Sequence, residues 1–353
     1  MKRNNIITRL SIAALVLSAP VTFAQDIHFT QFDMQPLVIN PAYTGMFFGK
    51  VRANVIYRDQ WKSVTIPYKT IAASVDLPIK SEDNGYLAGG LQVYRDVAGS
   101  GDLSNFTGLV SLAYHKTFGV ANGGNEGDYQ GADLAVGLQA GYAQKSIDLS
   151  KLFFGDEFQN GSFASGTSQE WKNGLGNSVN YYLINAGISY AQAINSKFSF
   201  VIGLAANNIN QPSDAILKKK NSEAVLDMRY TGEVGAIWNV GDRFSLRPVF
   251  LYQYQATATE MIFGNEFHYS LTGDFGDTHF TPAVFLGGYL RNEDAAMITA
   301  GLEYMNLRLG LGYDYNISSL NTVSNGNGGF EIALKYINPY TVVRRRTIPC
   351  NRF

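Results

Sequence analysis

Hydrophobic and polar residues alternate along much of this chain with the two-residue period of β-strands. The clearest alternating segments cover residues 51–58, 198–204, 307–315 and 330–336. In residues 307–315, leucine or tyrosine occupies every odd position, whereas arginine, glycine or aspartate occupies every even position. Each of these strands therefore has one apolar face and one face of polar or small side chains.

The spacing of such segments predicts fourteen strands of about nine to fifteen residues, an even number that suits a barrel with both chain ends on one side. The connections alternate in length. Short turns fall near Asn195, Gly241 and Met305, and long loops cover residues 147–178, "QPSDAILKKKNSEA" and "ISSLNTVSNG". Two connections break the alternation: "TFGVANGGNEGDYQ" is a long turn and "RNED" is a short loop. Tyrosines near strand ends resemble the aromatic girdles of outer-membrane barrels: Tyr57, Tyr190, Tyr230 and Tyr336.

Composition narrows the environment of these strands. Charged residues make up 16% of the chain, against roughly 25% in average soluble domains, and the chain contains 22 Phe, 21 Tyr and 36 Gly. After residue 24 no apolar run approaches the roughly 20 residues of a transmembrane helix. Because a bilayer requires every backbone amide to be paired internally, a closed barrel is the remaining way to span it. We therefore predict an all-β, transmembrane antiparallel β-barrel, although a soluble β-sandwich also shows such alternation.

The N-terminus is predicted to direct export. Lys2, Arg3 and Arg9 precede a mostly apolar stretch at 10–17, and Ala24 ends a cleavage-like sequence, as in a secretory signal peptide. The predicted organisation is a signal peptide (1–24), an N-terminal periplasmic segment (25–49), an outer-membrane barrel (50–337) and a periplasmic C-terminal tail (338–353). Cys350, the single cysteine, lies in that tail, and the formal net charge of −1 gives no indication of nucleic-acid binding.

No pattern of catalytic or metal-ligating residues was found. The four histidines, His28, His115, His268 and His279, lack the spacing of a metal site. An acidic stretch with Asn125, Glu126, Asp128 and Asp133 has oxygen ligands for calcium without EF-hand spacing, so a solvated turn is favoured. "LKKKNSE" at 217–223 offers three lysines to an acidic polymer, although charged loops usually stay solvated. The sequence predicts no catalytic residues, no cofactor and no metal.

The N-terminal stretch "QDIHFTQFDMQPLVINPAYTG" and the later "YRDQW" resemble the signature of the PorP/SprF family of outer-membrane proteins in type IX secretion. The resemblance continues in "SVDLPI", "GGLQVYRDVAG", "SLAYHKTFG", "LRPVFLYQY", "LRLGLGYDYNISSL" and "GGFEIALKY". A common Y-A-Y-H of the family appears as "LAYH", which ends at His115. The motif positions are Gln25, Asp26, Gln31, Phe32, Asn40, Pro41, Ala42, Tyr43, Gly45, Tyr57, Arg58, Gln60 and Trp61.

The resemblance implies a barrel in the outer membrane of a Gram-negative bacterium. It implies a protein that works with type IX secretion components, helps export surface adhesins, in some bacteria for gliding motility, and holds them by their type IX C-terminal domains. The implied partners are those components, the adhesin and outer-membrane lipids, with no nucleic acid. The last strand, 329–337, resembles the signal for barrel assembly, and the tail that follows carries Arg344, Arg345 and Arg346.

Two questions about individual residues remain open at the sequence level. The N-P-A-Y-T-G motif either folds the N-terminal segment against the periplasmic mouth of the barrel or contacts a partner, and folding is favoured because Asn-Pro and Thr-Gly mark turns. On the polar faces, Arg52, Arg308, Asp314 and Glu331 either line a channel or pair with one another. Pairing is expected, because a lone buried charge is costly.

Rival functions are also left open by the sequence. A fourteen-stranded barrel is wide enough for a porin, which conductance measurements would identify. An enzyme in the barrel wall would need a histidine within hydrogen-bond reach of a serine. A soluble secreted sandwich would not sediment with membranes.

Overall fold

The computed structural model of this protein describes most of the chain between residues 27 and 339. The described ranges are 27–63, 66–82, 84–119, 131–159, 162–164, 166–169, 176–216, 224–272, 282–319 and 321–339. The predicted signal peptide, the tail from residue 340, the three lysines at 218–220, His279 and the acidic positions 125, 126 and 128 lie outside these ranges.

Fourteen antiparallel strands form a closed barrel, which confirms the predicted fold class and strand number. Neighbours along the chain pair with each other, and the first strand, β1, closes the barrel against the last, β16. A separate hairpin of two very short strands, β6 and β7, lies in the connection between β5 and β8. The strands are β1 Val51–Gln60, β2 Tyr68–Glu82, β3 Gly85–Ala98, β4 Leu103–Phe118, β5 Gly131–Ser146, β6 Phe158–Gln159, β7 Ser162–Phe163, β8 Ser178–Ala193, β9 Phe198–Asn207, β10 Arg229–Val240, β11 Phe244–Gln255, β12 Ala258–Ser270, β13 Ala283–Arg291, β14 Ala295–Tyr304, β15 Leu307–Asn316 and β16 Asn327–Asn338.

The connections divide between the two ends of the barrel. One end, called the turn end here, carries tight turns such as those at 194–197, 241–243 and 305–306, together with two longer connections at 119–130 and 271–282. The opposite end, the loop end, carries the connections 147–177 and 208–228, and short helices occur at Leu149–Lys151, Gly155–Glu157 and Asn321–Ser324. This division is typical of outer-membrane barrels, whose turn end faces the periplasm. Among the described residues, no helix is both long and apolar enough to cross a bilayer.

The two faces of the wall follow the predicted alternation. On β15, Leu311, Tyr313 and Tyr315 are exposed on the outside of the barrel, whereas Arg308 and Asp314 are buried inside it. The same holds on β16, where exposed apolar residues alternate with Glu331, Ala333 and Lys335. In water such a belt of exposed leucine, isoleucine and aromatic side chains would be unfavourable, and in lipid it is the surface that a barrel requires.

The interior of the barrel is filled by the segment 27–50, which we call the plug. It contains the short helices Phe32–Met34, Pro36–Ile39 and Pro41–Tyr43, and nearly every residue from 29 to 47 is buried. The apolar core of the protein lies between the plug and the wall. There Phe32 and Met46 belong to a cluster with Leu251 and Met297 of the wall. This position differs from the predicted periplasmic one, because the plug lies within the lumen.

Candidate functional site

The plug runs through the lumen from its loop-end half to its turn end. Near its start, the backbone N–H groups of Thr30 and Gln31 bond to Glu331, which faces Arg58 in the loop-end half of β1. Near its end, the N–H of Lys50 donates to Asn338 at the turn end of β16. Because the plug crosses the lumen between these points, the candidate functional site is the contact surface between plug and wall.

Arg58, a residue of the Y-R-x-Q-W motif, forms an ion-pair cluster at the seam where β1 meets β16. Its guanidinium lies 2.7 Å from the Asp314 carboxylate and 2.5 Å from that of Glu331. It also donates to Thr30 Oγ1 at 2.9 Å, and Thr30 in turn hydrogen-bonds to Asp314. The Glu331 carboxylate accepts the N–H groups of Thr30 at 2.7 Å and Gln31 at 2.9 Å. We call Arg58, Asp314, Glu331 and Thr30 the seam clamp, because they join β1, β15 and β16 to the plug.

A second ion pair holds the other end of the plug. Arg52 on β1 donates to both carboxylate oxygens of Asp76 on β2, at 3.0 and 2.8 Å. Arg52 also donates to the carbonyl oxygens of Tyr43 at 2.9 Å and Met46 at 3.3 Å. The N–H of Gly45 donates to Asp76 at 2.7 Å. Gly45 has a φ of +76°, which other residues rarely adopt, so the glycine of the motif shapes this turn.

His115 and Asp133 form a third contact, on β4 and β5. Nδ1 of His115 lies 3.1 Å from the Asp133 carboxylate, and Nε2 lies 2.8 Å from the carbonyl oxygen of Thr44. The ring of Tyr86 stacks on the imidazole with 4.2 Å between ring centroids, and its hydroxyl donates to the carbonyl oxygen of Gly45. His115 therefore supports the plug. Among the described residues no group of three or more metal-ligating side chains occurs.

The N-P-A-Y turn of the plug lies directly against the backbone of the wall. The Asn40 side-chain amide donates to the carbonyl oxygens of Ile188 at 3.1 Å and Leu204 at 3.3 Å, and its Oδ1 accepts the N–H of Ala42. Pro41, Ala42 and Tyr43 are buried. Three glycines of the wall leave room for this turn, because an added Cβ at any of them would overlap the plug: Gly137, Gly187 and Gly203.

Of the other motif residues, Gln25 and Asp26 lie outside the described residues, Gln31 and Phe32 lie in the plug, and the rest lie on β1 or just after it. Tyr57 points outward, Gln60 accepts from Arg58 Nε at 3.3 Å, and the Trp61 N–H donates to the carbonyl oxygen of Gly328 at 2.9 Å. The Trp61 ring packs edge-on against Tyr68. The structure thus brings the plug motif and Arg58 into one contact surface, whereas Tyr57 and Trp61 lie outside it.

Arg308 is paired as well, so each of the four lumen charges singled out in the sequence has an oppositely charged partner, although in the described structure none of the four pairs with another of them. Arg308 donates to Glu266 at 2.8 Å and to Glu303 at 3.2 Å, and it lies 3.3 Å from Asp33 of the plug. Its guanidinium also stacks over the Phe285 ring, 4.1 Å from the centroid. Lys335 donates to the carbonyl oxygen of Asp33 at 2.9 Å. Beside this group a cavity of about 50 Å³ lies between the plug and β10–β13.

We expect alanine at both Asn40 and Tyr43 to lower the yield of folded barrel before it affects export. The Asn40 change removes the side-chain amide that donates hydrogen bonds to the carbonyl oxygens of Ile188 and Leu204. The loss of a buried hydrogen bond typically costs about 1–3 kcal/mol of folding stability. Tyr43 adds the loss of a buried aromatic ring. Folded protein is measured by its heat-modified mobility in gels. Normal yield with lost display of a surface protein would indicate partner contact instead.

Comparisons with known proteins bear on this site. Residues 21–336 match the model of a family described as "Type IX secretion system membrane protein PorP/SprF". No curated protein sequence matches the chain. Similar solved structures include the CymD monoaromatic hydrocarbon channel, with 10% identity, coverage of 88% of this chain and 94% of that one, and a TM-score of 0.47. Another is the Ralstonia pickettii toluene transporter TbuX, with 10% identity, coverage of 86% and 93%, and a TM-score of 0.46.

Proposed function

This chain belongs to the PorP/SprF family of type IX secretion system membrane proteins, and we propose that it helps export large surface proteins and holds them at the cell surface. It is an outer-membrane barrel, and its family and fold are those of a secretion or transport component. The held partner would be a secreted adhesin, bound through its type IX C-terminal domain. Any part in gliding motility would follow from displaying such an adhesin.

The observation that carries this proposal is the filled lumen. A barrel whose interior is crossed by a buried segment, clamped by paired charges such as Arg58 with Glu331, offers no wide aqueous path through its described part. Holding a protein requires a rigid binding surface but does not require an open channel. The filled lumen therefore favours a binding role over that of a diffusion porin. The porin hypothesis would require the plug to leave.

The loop end would supply the surface for such a partner. The described parts of its two longest connections contact each other: the backbone N–H of Gly176 donates to the carbonyl oxygen of Ile216 at 3.1 Å, and Lys145 at the end of β5 pairs with Asp214 at 2.8 Å. On this platform the side chains of Phe153 and Phe158 are 67% and 56% exposed. Exposed aromatic residues on an ordered surface are typical of protein interaction sites.

The test is a pull-down of the tagged chain from mild detergent extracts of its native outer membrane, with co-purified proteins identified by mass spectrometry. We expect a large secreted protein with a type IX C-terminal domain in amounts comparable to the bait. Phe153→Ser with Phe158→Ser should reduce its recovery about tenfold, which corresponds to about 1.4 kcal/mol. The matched control is Met305→Ser, because Met305 is 64% exposed at the turn end.

Equal recovery with both variants would place the contact elsewhere on the chain. A bait that is recovered alone, from extracts in which type IX complexes survive, would contradict stable holding. Measurements of single-channel conductance would then test the porin hypothesis, which predicts steady currents through the unmodified protein.

A further inference from the structure

The wall of the lumen binds the plug largely through the plug's main chain. Carboxylates of the wall accept its N–H groups: Glu331 takes those of Thr30 and Gln31, and Asp76 takes that of Gly45. These three bonds measure 2.7–2.9 Å. Hydrogen bonds to an ionised acceptor are the stronger kind, so the wall binds both ends of the plug at atoms that every residue except proline possesses.

Wall donors bind the carbonyl oxygens of the plug in the same way. These donors come from five different strands, β1, β4, β5, β10 and β16, so they surround the segment. The donor and carbonyl pairs are Lys335 with Asp33, Gln139 with Leu37, Arg229 with Val38, Arg52 with Tyr43 and His115 with Thr44.

The conformation of the plug depends on these contacts. Its helices are three or four residues long, far below the length at which a helix is stable alone. In the described structure no residue of the plug belongs to a barrel strand. The plug therefore resembles a bound peptide that takes its conformation from its site.

We propose that the lumen is a polypeptide-binding site, that the plug is its resident ligand, and that the site accepts a separate peptide of the same backbone course. The ligand class is a segment of about 20 residues that presents main-chain groups to the wall and a small residue at the Gly45 turn. Because main-chain atoms carry much of the recognition, as in other modes of peptide recognition, the site would admit other sequences that keep apolar side chains where Phe32 and Met46 pack against the wall. This inference goes beyond the proposed function and holds whether or not an adhesin binds at the loop end.

The experiment starts from the folded full chain, with a specific protease site inserted between Lys50, which is exposed, and Val51. Cleavage is needed because a tethered plug has an effective concentration of about 1 mM and would exclude any competitor. After cleavage, a fluorescent synthetic peptide of residues 25–50 is added in excess, and its binding to the barrel is followed by polarisation. Heat-modified mobility reports whether the barrel stays folded.

We expect the labelled peptide to exchange into a barrel that stays folded. Glu331→Gln should release it about tenfold faster, whereas the control Asp96→Asn, which alters an inward carboxylate bonded to Thr70 of the wall, should change release less than about threefold. A peptide methylated on the Gln31 nitrogen should bind about tenfold more weakly, because it lacks an N–H that Glu331 accepts. A peptide with Leu37→Met keeps its carbonyl group and should bind as the parent does.

Three results would overturn the proposal. The first is unfolding of the barrel when it loses the cleaved plug. The second is a plug that stays in place without exchange. The third is a barrel that loses its plug, stays folded and does not bind the peptide. Each would mean that residues 27–50 are an integral part of the fold.

Discussion

Replacing Arg58 by alanine is expected to destabilise the barrel by about 3–5 kcal/mol, the cost of leaving buried charges without their partner. Arg58 is 1% exposed and is the shared partner of Asp314 and Glu331, which are equally buried. The change also removes the donor to Thr30. It therefore weakens both the closure of β1 on β16 and the attachment of the plug. The measurement is urea unfolding in detergent, followed by tryptophan fluorescence.

Two further variants separate a general loss of positive charge from the loss of this cluster. Arg243→Ala removes an arginine that is exposed in a turn and should change stability by less than about 0.5 kcal/mol. Arg58→Ala combined with Glu331→Gln removes one of the stranded charges and should recover part of the lost stability. If Arg58→Ala unfolds at the same urea concentration as Arg243→Ala, the seam clamp does not support the barrel.

The strands of this protein were predictable because their signal is local. A period of two fixes which residues share a face, so residues 307–315 alone assign leucine and tyrosine to the outside and Arg308 and Asp314 to the inside. Composition then indicates that lipid covers the apolar face. Neither argument depends on which strand lies beside which, and the strand count and the closed barrel are confirmed. The lumen charges are paired, but Arg52, Arg308, Asp314 and Glu331 pair with residues outside that set rather than with one another.

The site depends on contacts between distant parts of the chain, which a local pattern does not contain. The partner of Arg52 is Asp76, 24 residues away, whereas the partner of Arg58 is Glu331, 273 residues away. Both pairs face each other directly in the strand register. The register of Arg52 with Asp76 is fixed by the hairpin of β1 and β2, whereas that of Arg58 with Glu331 is fixed only when β1 closes against β16. Asp76 and Asp133 were therefore not identified as support for the plug.

The position of the plug was missed for a different reason. Residues 29–47 are rich in apolar side chains without a strand period, which by itself says only that they are buried somewhere. Two signals pointed to the lumen. One is the presence of glycines at inward positions of several neighbouring strands, such as Gly137, Gly187 and Gly203. The other is an interior rich in carboxylates and arginines that need partners. In combination these features indicate a filled barrel rather than an open one.

Replacing Gly187 by valine is expected to expel the N-P-A-Y turn and open a path through the barrel. An added Cβ at this position would overlap the Asn40 side chain, with Pro41 also close by. Asn40 is bonded to the wall next to this glycine, at Ile188 and at its cross-strand partner Leu204, so it has no room to shift aside while it keeps those bonds. Overpacking of this kind costs about 1–3 kcal/mol, and the lost Asn40 bonds add to it.

The wall itself should tolerate the change, because valine favours strands and Gly187 lies within β8. The lost Asn40 bonds should lower the yield of folded barrel, as in Asn40→Ala, and we expect the barrel that folds to conduct ions in planar bilayers at least about tenfold more often than the unmodified protein. Gly288→Val is the matched control: Gly288 also lies within a strand, β13, and an added Cβ there meets nothing within 4 Å. Conductance by Gly288→Val would point to a general loosening of the wall. A folded but silent Gly187→Val barrel would mean that the rest of the plug seals the lumen without this turn.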